Sequence, residues 1–388
     1  MNRSAGTETG LKIHAHQNAS VAGALFFGVT DKSHSRSLQI SRLLGSLYEE
    51  VIEVPWEADS GLDYRLFENK RYFRTLTKVL FIGSTNFAKA IFSTPRQCKV
   101  ILAHPSQLNL LIALPLTKLL RRELVIDFYV SLHDTLVGDR KLINPISWLA
   151  KLLHRIDRFS LHAADKVIFE TQSNLERFCN GNSSLLSKSV ILLPSPPAIF
   201  NADGPTNLKP ERDVVFIGKL APVMGVESVL EAISSEAMSG YKFTFVGSGQ
   251  SSSAIANRHR RDNISFIDHM PFDEVPALIQ NHRLSLGSFG DSQKTHSVFS
   301  NKVMESLRLG VPCLTSYGEI SKHHESIGCF FVEPSDTAAI ISALQSLLAS
   351  PKELAELARQ ARAFSSGIGS DDAISRQTRE MLSGLVPE

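Results

Sequence analysis

The chain has 388 residues, which is too long for one ordinary hydrophobic core, so we expect two domains of about 180 residues each. A net charge of only +2 at pH 7 argues against a nucleic-acid partner. The 4 cysteines contain no CxxC pair, which favours free thiols in a reducing compartment over a disulfide framework or a zinc site.

Short apolar runs alternate with amphipathic helical patterns along the first half of the chain. Strands are predicted at residues 22–29, 79–82, 100–103, 124–130, 166–170 and 190–193. Helices are predicted at residues 37–51, 107–122, 146–164 and 173–179, the last one opened by a capping box of Ser173 and Glu176. The first twenty residues have no apolar core of signal-peptide type, and the apolar run 108–120 is too short to span a bilayer. Such alternation predicts a mainly parallel sheet.

A proline-rich segment separates this half from a second, similar one. Five prolines lie between residues 193 and 213, which indicates a linker. Further strands are predicted at residues 214–217, 241–246, 264–267, 284–289, 312–316 and 330–332. Helices close the chain at residues 336–348, from Ser350 onward and at 371–385. Both halves are therefore predicted to be doubly wound α/β domains.

The stretch from Leu284 to Thr315 has the form of a ligand site. A strand is followed by a polar loop with Lys294 and His296, and a helix then begins near Ser300 and Asn301. A helix N-terminus attracts phosphate, and Lys294 and Lys302 add two cations. Glu305 follows one turn later, where a carboxylate can accept hydrogen bonds from two sugar hydroxyls. The alternative is a helix that Ser300 merely caps and whose charged side chains are solvated.

A second group of polar residues follows the predicted strand at 124–130. Asp127, His133, Asp134 and Arg140 stand at its carboxyl end, which is where open α/β sheets bind ligands. Asp127 or Asp134 can orient an acceptor hydroxyl or take its proton. The alternative, in which these carboxylates pair with Arg140 in a structural network, stays open.

Two other segments carry open alternatives. Gly28 and Arg36 flank the loop after the first strand, where they would approach a phosphate or an acceptor, or form a plain turn with a solvated arginine. The helix at 146–161 has an apolar stripe beside Lys151, Arg155 and Arg158. Such a stripe packs into a core or lies on an anionic membrane surface.

The stretch from Leu284 to Thr315 resembles the donor-site segment of family 4 (group 1) glycosyltransferases of the GT-B fold. Twelve residues match the pattern of one bacterial branch at fixed spacings, namely Phe289, Gly290, Lys294, Val298, Asn301, Lys302, Val303, Glu305, Leu307, Gly310, Pro312 and Thr315. The segment at 124–140 resembles the same branch through Asp127, Phe128, Ser131, Asp134, Thr135, Asp139 and Arg140.

The resemblance implies two Rossmann-like domains that face a central cleft. Residues 1–195 would form the acceptor domain, 196–212 the linker and 213–368 the donor domain, with 369–388 crossing back to the first domain. Gly218, Lys219 and Gly247 would approach the donor, together with the residues of the donor helix. The sequence departs from the family pattern at Met224, where a cation is common, at Ser297, where a glutamate is common, and at Tyr129, where a histidine is common.

The activity implied is a retaining, metal-independent transfer of a sugar from a nucleotide diphosphate donor to a glycan or lipid-linked acceptor in cell-surface polysaccharide or glycolipid synthesis. The resemblance implies a hexosyltransferase-type enzyme in the cytoplasm, with possible contact at the inner face of the plasma membrane. No cofactor is expected, because no Asp-x-Asp triplet and no His/Cys cluster of metal spacing occurs in the sequence. Two alternatives stay open: a non-catalytic nucleotide-sugar-binding partner and a nucleotide-sugar epimerase of the same fold.

Overall fold

The computed structural model describes residues 23–29, 34–55, 72–139, 142–201, 210–218, 220, 224–247, 258–324 and 326–383. These residues form two six-stranded sheets whose neighbouring strands all run parallel. Helices connect the strands, as parallel pairing requires. The prediction of two doubly wound α/β halves is therefore confirmed.

The first sheet has the strand order β2-β1-β3-β4-β5-β6. Its strands are β1 Ala24–Val29, β2 Val51–Pro55, β3 Lys99–Leu102, β4 Leu124–Phe128, β5 Lys166–Phe169 and β6 Ser189–Ile191. Its helices are α1 Ser35–Leu47, α2 Tyr72–Ser93, α3 Ser106–Leu119, α4 Trp148–Ala163, α5 Gln172–Cys179 and α6 Ser183–Leu186. Because crossovers are right-handed, α2, α3 and α4 share one face of the sheet while α1 covers the other.

The second sheet has the strand order β12-β11-β10-β7-β8-β9. Its strands are β7 Arg212–Ile217, β8 Phe243–Val246, β9 Ile264–Ile267, β10 His282–Leu286, β11 Cys313–Ser316 and β12 Cys329–Val332. Its helices are α7 Val226–Ile233, α8 Val275–Gln280, α9 Gln293–Ser297, α10 Asn301–Arg308, α11 Glu319–His323, α12 Thr337–Ala349 and α13 Pro351–Ser366. All four cysteines are buried free thiols.

The last helix, α14 Asp371–Ser383, packs against α1 and β6 of the first half. The Tyr48 hydroxyl and Lys99 Nζ both donate hydrogen bonds to the carbonyl of Leu382, at 3.1 and 2.7 Å. Lys166 Nζ donates to the neighbouring carbonyl of Met381 at 3.0 Å. These donors satisfy carbonyls that the end of a helix leaves without partners. The positive charges of the two lysines also interact favourably with the negative end of the helix dipole. The first half therefore holds the last described helix.

Three local predictions were wrong. The apolar run 79–82 belongs to α2 rather than to a strand, and a short apolar run cannot distinguish the two by periodicity. The helix predicted at 37–51 ends at Leu47, and β2 follows at the sheet edge. Helix α5 is capped by Thr171, whose hydroxyl accepts from the N–H of Asn174, because Ser173 instead hydrogen-bonds with Glu319 of the second half.

Candidate functional site

The carboxyl ends of the strands line one edge of each parallel sheet, and the strand order reverses at one point along that edge. In the second sheet this point lies between β7 and β10, which lead into Gly218 and Phe289. In the first sheet it lies between β1, which contains Gly28 near its end, and β3, which is followed by His104. Such reversal points are the ligand sites of open α/β sheets. Contacts between the two halves place these edges opposite each other, as described below.

Two glycines allow close approaches between backbone segments and Lys302 at the carboxyl edge of the second sheet. Gly218 and Gly247 have φ angles of +143° and +137°. A Cβ on Gly247 would lie 2.0 Å from the carbonyl oxygen of Gly218, and a Cβ on Gly218 would lie 2.9 Å from Lys302 Nζ. Only glycine permits this approach, so the backbone after β7 comes close to the lysine of α10.

Lys302 turns its ammonium group inward. Its Nζ lies 3.9 Å from the centre of the Phe216 ring, a residue that is fully buried, and 3.6 Å from Met224 Sδ. Burial lowers the pKa of Lys302 to about 8. Met224 stands where the family pattern has a cation, and its thioether sulfur contacts Lys302.

Glu305 lies one turn further along α10 and is buried. Burial raises the pKa of its carboxyl to about 7, although the charge of Lys302 and a hydrogen bond from Ser35 oppose the shift. The Ser35 hydroxyl donates to Glu305 Oε1 at 3.4 Å and comes from the first half. The predicted cation and carboxylate are therefore interior groups, unlike the solvated helix of the alternative interpretation.

The first turn of α10 faces the first half of the chain. Ser300 occupies the N-cap position, but its side chain accepts no bond from the helix and instead accepts from Ser288 Oγ at 3.5 Å. Asn301 Nδ2 donates to the Tyr129 hydroxyl at 3.2 Å. The side chain of Ser300 therefore does not cap this helix. The hydrogen bond between Asn301 and Tyr129 joins the two halves of the chain.

The loop after β10 is held by backbone contacts. The N–H of Phe289 donates to the carbonyl of Met224 at 2.9 Å, and the N–H of Ser335 donates to the carbonyl of Phe289 at 2.8 Å. A Cβ on Gly225 would lie 2.3 Å from the carbonyl carbon of Phe289 and 2.6 Å from the nitrogen of Gly290. The predicted residues Phe289 and Gly290 therefore lie directly against the segment that follows β7.

Lys294 lies on the short helix α9, between the two halves. Its charge acts on His104 and Glu170 of the first half. The neighbouring His296 pairs through Nε2 with Asp291 at 2.9 Å. Lys294 therefore acts on groups of the first half, across the cleft. Lys219, the other predicted phosphate ligand of this half, lies outside the described residues.

Arg36 and Asp127 form a buried ion pair in the first half. Arg36 Nη2 lies 2.7 Å from Asp127 Oδ1, and both side chains are 1% exposed. Arg36 also donates to Gln39 at 3.2 Å and to the carbonyl of Leu192 at 2.6 Å. This geometry favours the structural network over an acceptor role for Asp127, with Arg36 as the partner. A Cβ on Gly28 would lie 2.1 Å from Asn109 Nδ2, so this glycine permits tight packing behind the loop.

Asp134 opens a single π-helical turn, Asp134–Asp139, near the same edge, and His133 directly precedes it. Asp134 pairs with Arg177, and His133 Nδ1 lies 3.5 Å from Asp134 Oδ1. The buried Asp157 accepts from the N–H groups of Leu132 and His133, both at 3.0 Å. This carboxylate of α4 therefore fixes the backbone that presents both residues. Arg140 lies outside the described residues.

Sequence reasoning missed His104 and Glu170. Burial and the charges of His34, Lys294 and Arg36 lower the pKa of His104 to about 3, so its imidazole is neutral at neutral pH. Its Nδ1 is buried and has no hydrogen-bond partner among the described residues. The His104 ring lies 5.4 Å from that of Tyr129. The only sequence signal was its position directly after β3.

Glu170 follows β5 directly and is 3% exposed. Burial raises the pKa of its carboxyl to about 8, against the lowering effect of Arg36 and Lys294. A carboxyl that is largely protonated at neutral pH can donate a hydrogen bond. His104, Glu170 and Tyr129 thus form a polar group on the first half, opposite Lys302 and Glu305.

The described ranges contain neither a metal-binding cluster nor a membrane-spanning helix. No group of three or more His, Cys, Asp or Glu side chains there is arranged to hold a metal ion. No described helix combines the length and the apolar character that crossing a bilayer requires.

Comparisons with known proteins agree with this geometry. Residues 211–350 match the family model described as Glycosyl transferases group 1. No curated protein sequence matches the chain. The Anabaena HepE structure is similar with a TM-score of 0.68 and 14% identity, covering 94% of this chain and 100% of HepE.

Two further solved structures are similar over most of the chain. Sucrose-phosphate synthase from Thermosynechococcus elongatus has a TM-score of 0.66 and 15% identity, covering 87% of this chain and 83% of that one. WaaG, a glycosyltransferase involved in lipopolysaccharide biosynthesis, has a TM-score of 0.59 and 14% identity, covering 93% and 100%. The chain thus has the GT-B fold, and its residues 211–350 match the model of the group 1 glycosyltransferases.

Proposed function

We propose that this glycosyltransferase moves a hexose from a nucleotide diphosphate sugar to a glycan or lipid-linked acceptor, with retention of configuration and without a metal ion. The observation that carries the proposal is the interior pair of Lys302 and Glu305 at the start of α10, within the segment that matches the family model. The reaction would serve cell-surface polysaccharide or glycolipid synthesis, at the cytoplasmic face of the membrane.

The charge of the departing diphosphate would be met by fixed donors. Lys302 Nζ lies beside the glycine-lined backbone after β7, and the first-turn N–H groups of α10 point the positive end of the helix dipole the same way. These groups are held before the reaction begins, so they stabilise developing charge without reorganisation. Glu305 would accept hydrogen bonds from the ribose hydroxyls. HepE has been crystallised with UDP and with UDP-glucose, which makes uridine nucleotides the first donors to test.

The first half would position the acceptor. Tyr129 hydrogen-bonds to Asn301 of the donor helix, and His104 and Glu170 lie on the same side of the cleft. A neutral imidazole and a protonated carboxyl can hold a sugar hydroxyl by accepting and donating hydrogen bonds. We assign the acceptor hydroxyl to this polar group. Asp134 and His133 follow β4 at the same edge of the first sheet.

The test is calorimetric titration with UDP, GDP, ADP and TDP in the presence of a chelator. Selective binding of one diphosphate, lost in Glu305→Ala and kept in the exposed control Glu333→Ala, is expected. Above about pH 8, binding should take up protons, because the anion favours the charged form of a Lys302 that is partly neutral when free. Binding that needs a divalent ion, or that survives Glu305→Ala, contradicts the proposal.

A non-catalytic sugar-nucleotide-binding partner is the second candidate. Met224 and Ser297 remove two charged groups of the family pattern, and Asp127 is engaged by Arg36. This candidate is supported if the bound nucleotide sugar is neither transferred nor hydrolysed with any acceptor extract. Conversion of the donor sugar without an acceptor would instead indicate an epimerase.

A further inference from the structure

A cavity lies between the two halves of the chain, beside the carboxyl edge of the first sheet. Its volume is about 610 Å³, within the range of about 300–1,000 Å³ that small-molecule sites have. Helix α5 of the first half lines it together with α9 and α11 of the second half, and it is here called the α5–α9 cavity. Its larger polar side chains are Glu176, Arg177, Gln293, His296 and Lys322.

Hydrogen bonds between the two halves fix the walls of this cavity. The buried carboxylate of Glu319, at the start of α11, accepts from the N–H of Ser173 at 3.1 Å and from the Ser173 hydroxyl. The Thr171 hydroxyl donates to the carbonyl of Ser297, the last residue of α9. Ser173 and Ser297 both line the cavity. Because these bonds position the polar groups of the lining in advance, binding a ligand there costs less ordering.

The lining excludes apolar and strongly charged ligands. Every residue that lines the cavity is polar or charged, whereas apolar ligands need apolar walls. The charges are balanced, because the cations Arg177 and Lys322 are opposed by Glu176 and by Asp134, which pairs with Arg177. A polyanion gains little net attraction from such a lining. The cavity therefore favours an uncharged ligand that makes many hydrogen bonds.

The planar side chains of the cavity suit the hydroxyl groups of a sugar. The carboxylate of Glu176 accepts hydrogen bonds, the guanidinium of Arg177 donates them, and the amide of Gln293 does both. Arg177 Nε is buried and has no hydrogen-bond partner among the residues that the structure describes. Each hydroxyl of a sugar both donates and accepts, so neighbouring hydroxyls can satisfy all three side chains. The lining thus has the chemistry of a carbohydrate site.

The α5–α9 cavity continues the edge that carries the polar group of the first half. His104, Tyr129 and Glu170 follow the adjacent strands β3, β4 and β5. With about 4.8 Å between neighbouring strands, these residues span about 10 Å along the edge. Ser173 comes three residues after Glu170, in the first turn of α5. A chain of linked sugars that lies along this edge therefore passes from the polar group into the cavity.

We propose that the α5–α9 cavity binds the second sugar of the acceptor, next to the sugar whose hydroxyl group is held by His104, Tyr129 and Glu170. The acceptor is then a glycan of at least two linked sugars, rather than a single sugar or a lipid phosphate without sugars. No bond forms or breaks in the cavity, which orients the glycan and selects for its length. The inference rests on the proposed function, because it extends the acceptor site assigned there.

A printed glycan array tests the proposal on the full-length protein in the presence of UDP. The array carries pairs of a monosaccharide and a disaccharide that end in the same non-reducing sugar. We expect at least one pair in which the disaccharide binds about tenfold or more tightly, as two additional hydrogen bonds provide. The double variant Gln293→Ala/Lys322→Ala changes two exposed side chains of the cavity. It should weaken that disaccharide about 10- to 30-fold and leave the monosaccharide unchanged.

A matched control and a parallel UDP titration keep the outcome unambiguous. Lys352→Ala removes an exposed lysine of the second half outside the cavity and should bind glycans as the unchanged protein does. The inference is overturned if a protein that binds UDP prefers no disaccharide over its monosaccharide, or if the double variant binds like the control. Competition by inorganic phosphate that the double variant loses would also overturn it, by indicating an anion site. Failure of the proposed function would show itself separately, as absent UDP binding.

Discussion

Replacing Glu305 by glutamine should stabilise the ligand-free protein while abolishing its binding of a nucleoside diphosphate. Burial raises the pKa of Glu305 from 4.5 to about 7, so the folded protein keeps a proton that the unfolded chain releases. The contribution of this group to the free energy of unfolding is fully present below pH 4.5 and is lost as the pH rises through about 7. Glutamine avoids that loss because it carries no charge.

The pKa difference sets the size of the effect. A shift from 4.5 to about 7 corresponds to about 3 kcal/mol in the free energy of unfolding. The variant should therefore be more stable by up to about 3 kcal/mol above about pH 7, and equal to the unchanged protein near about pH 4. Its amide keeps the size of the side chain and can still accept a hydrogen bond from Ser35. The carboxylate is thus retained at a cost in stability, as functional sites often require.

Denaturant unfolding at about pH 4 and about pH 8, with UDP titration alongside, measures both effects. Glu333→Gln, an exposed change in the same half of the chain, controls for the loss of one negative charge and should alter neither quantity. Equal or lower stability of Glu305→Gln at the higher pH would refute the burial argument. Unchanged affinity for UDP would refute the assignment of Glu305 to the donor.

Three further changes test other contacts. Lys302→Ala should weaken UDP by about 10- to 100-fold, as expected for a hydrogen bond to a charged group, and weaken uridine much less in the same titration. Gly225→Ala should destabilise the protein by about 1–3 kcal/mol, because its Cβ would meet backbone atoms at 2.3 Å, whereas Gly240→Ala, with no atom within 4 Å, should change unfolding little. Arg36→Gln should cost about 3–5 kcal/mol by leaving Asp127 buried without its partner, and adding Asp127→Asn should restore part of that loss.

Opposite results have definite meanings. Equal losses of UDP and uridine would remove Lys302 from the phosphate site. Equal effects of the two glycine changes would show that the close approach of Gly225 to the next loop carries no cost. Additive losses for Arg36 and Asp127 would show that the two residues act independently, and the catalytic alternative for Asp127 would then regain weight.

The sequence alone predicted the class of fold because that prediction depends on the spacing of apolar residues within short segments of the chain. Apolar runs alternating with amphipathic helices identify parallel α/β halves wherever they occur. Helix α10 was equally accessible, since Asn301, Lys302 and Glu305 lie within five residues and their spacing on a helix follows from its pitch. The apolar run 79–82 of α2 is too short for its spacing to distinguish a strand from a helix, and the predicted strand there was wrong.

Only the tertiary structure decided which distant residues meet. Arg36 reaches Asp127 across 91 positions, and Ser35 reaches Glu305 across 270. Burial of Glu305 and the neutral state of His104 follow from those meetings, because a pKa depends on surrounding atoms that spacing does not reveal. The same holds for α4, whose period predicts an apolar stripe but whose packing determines that Trp148 faces solvent.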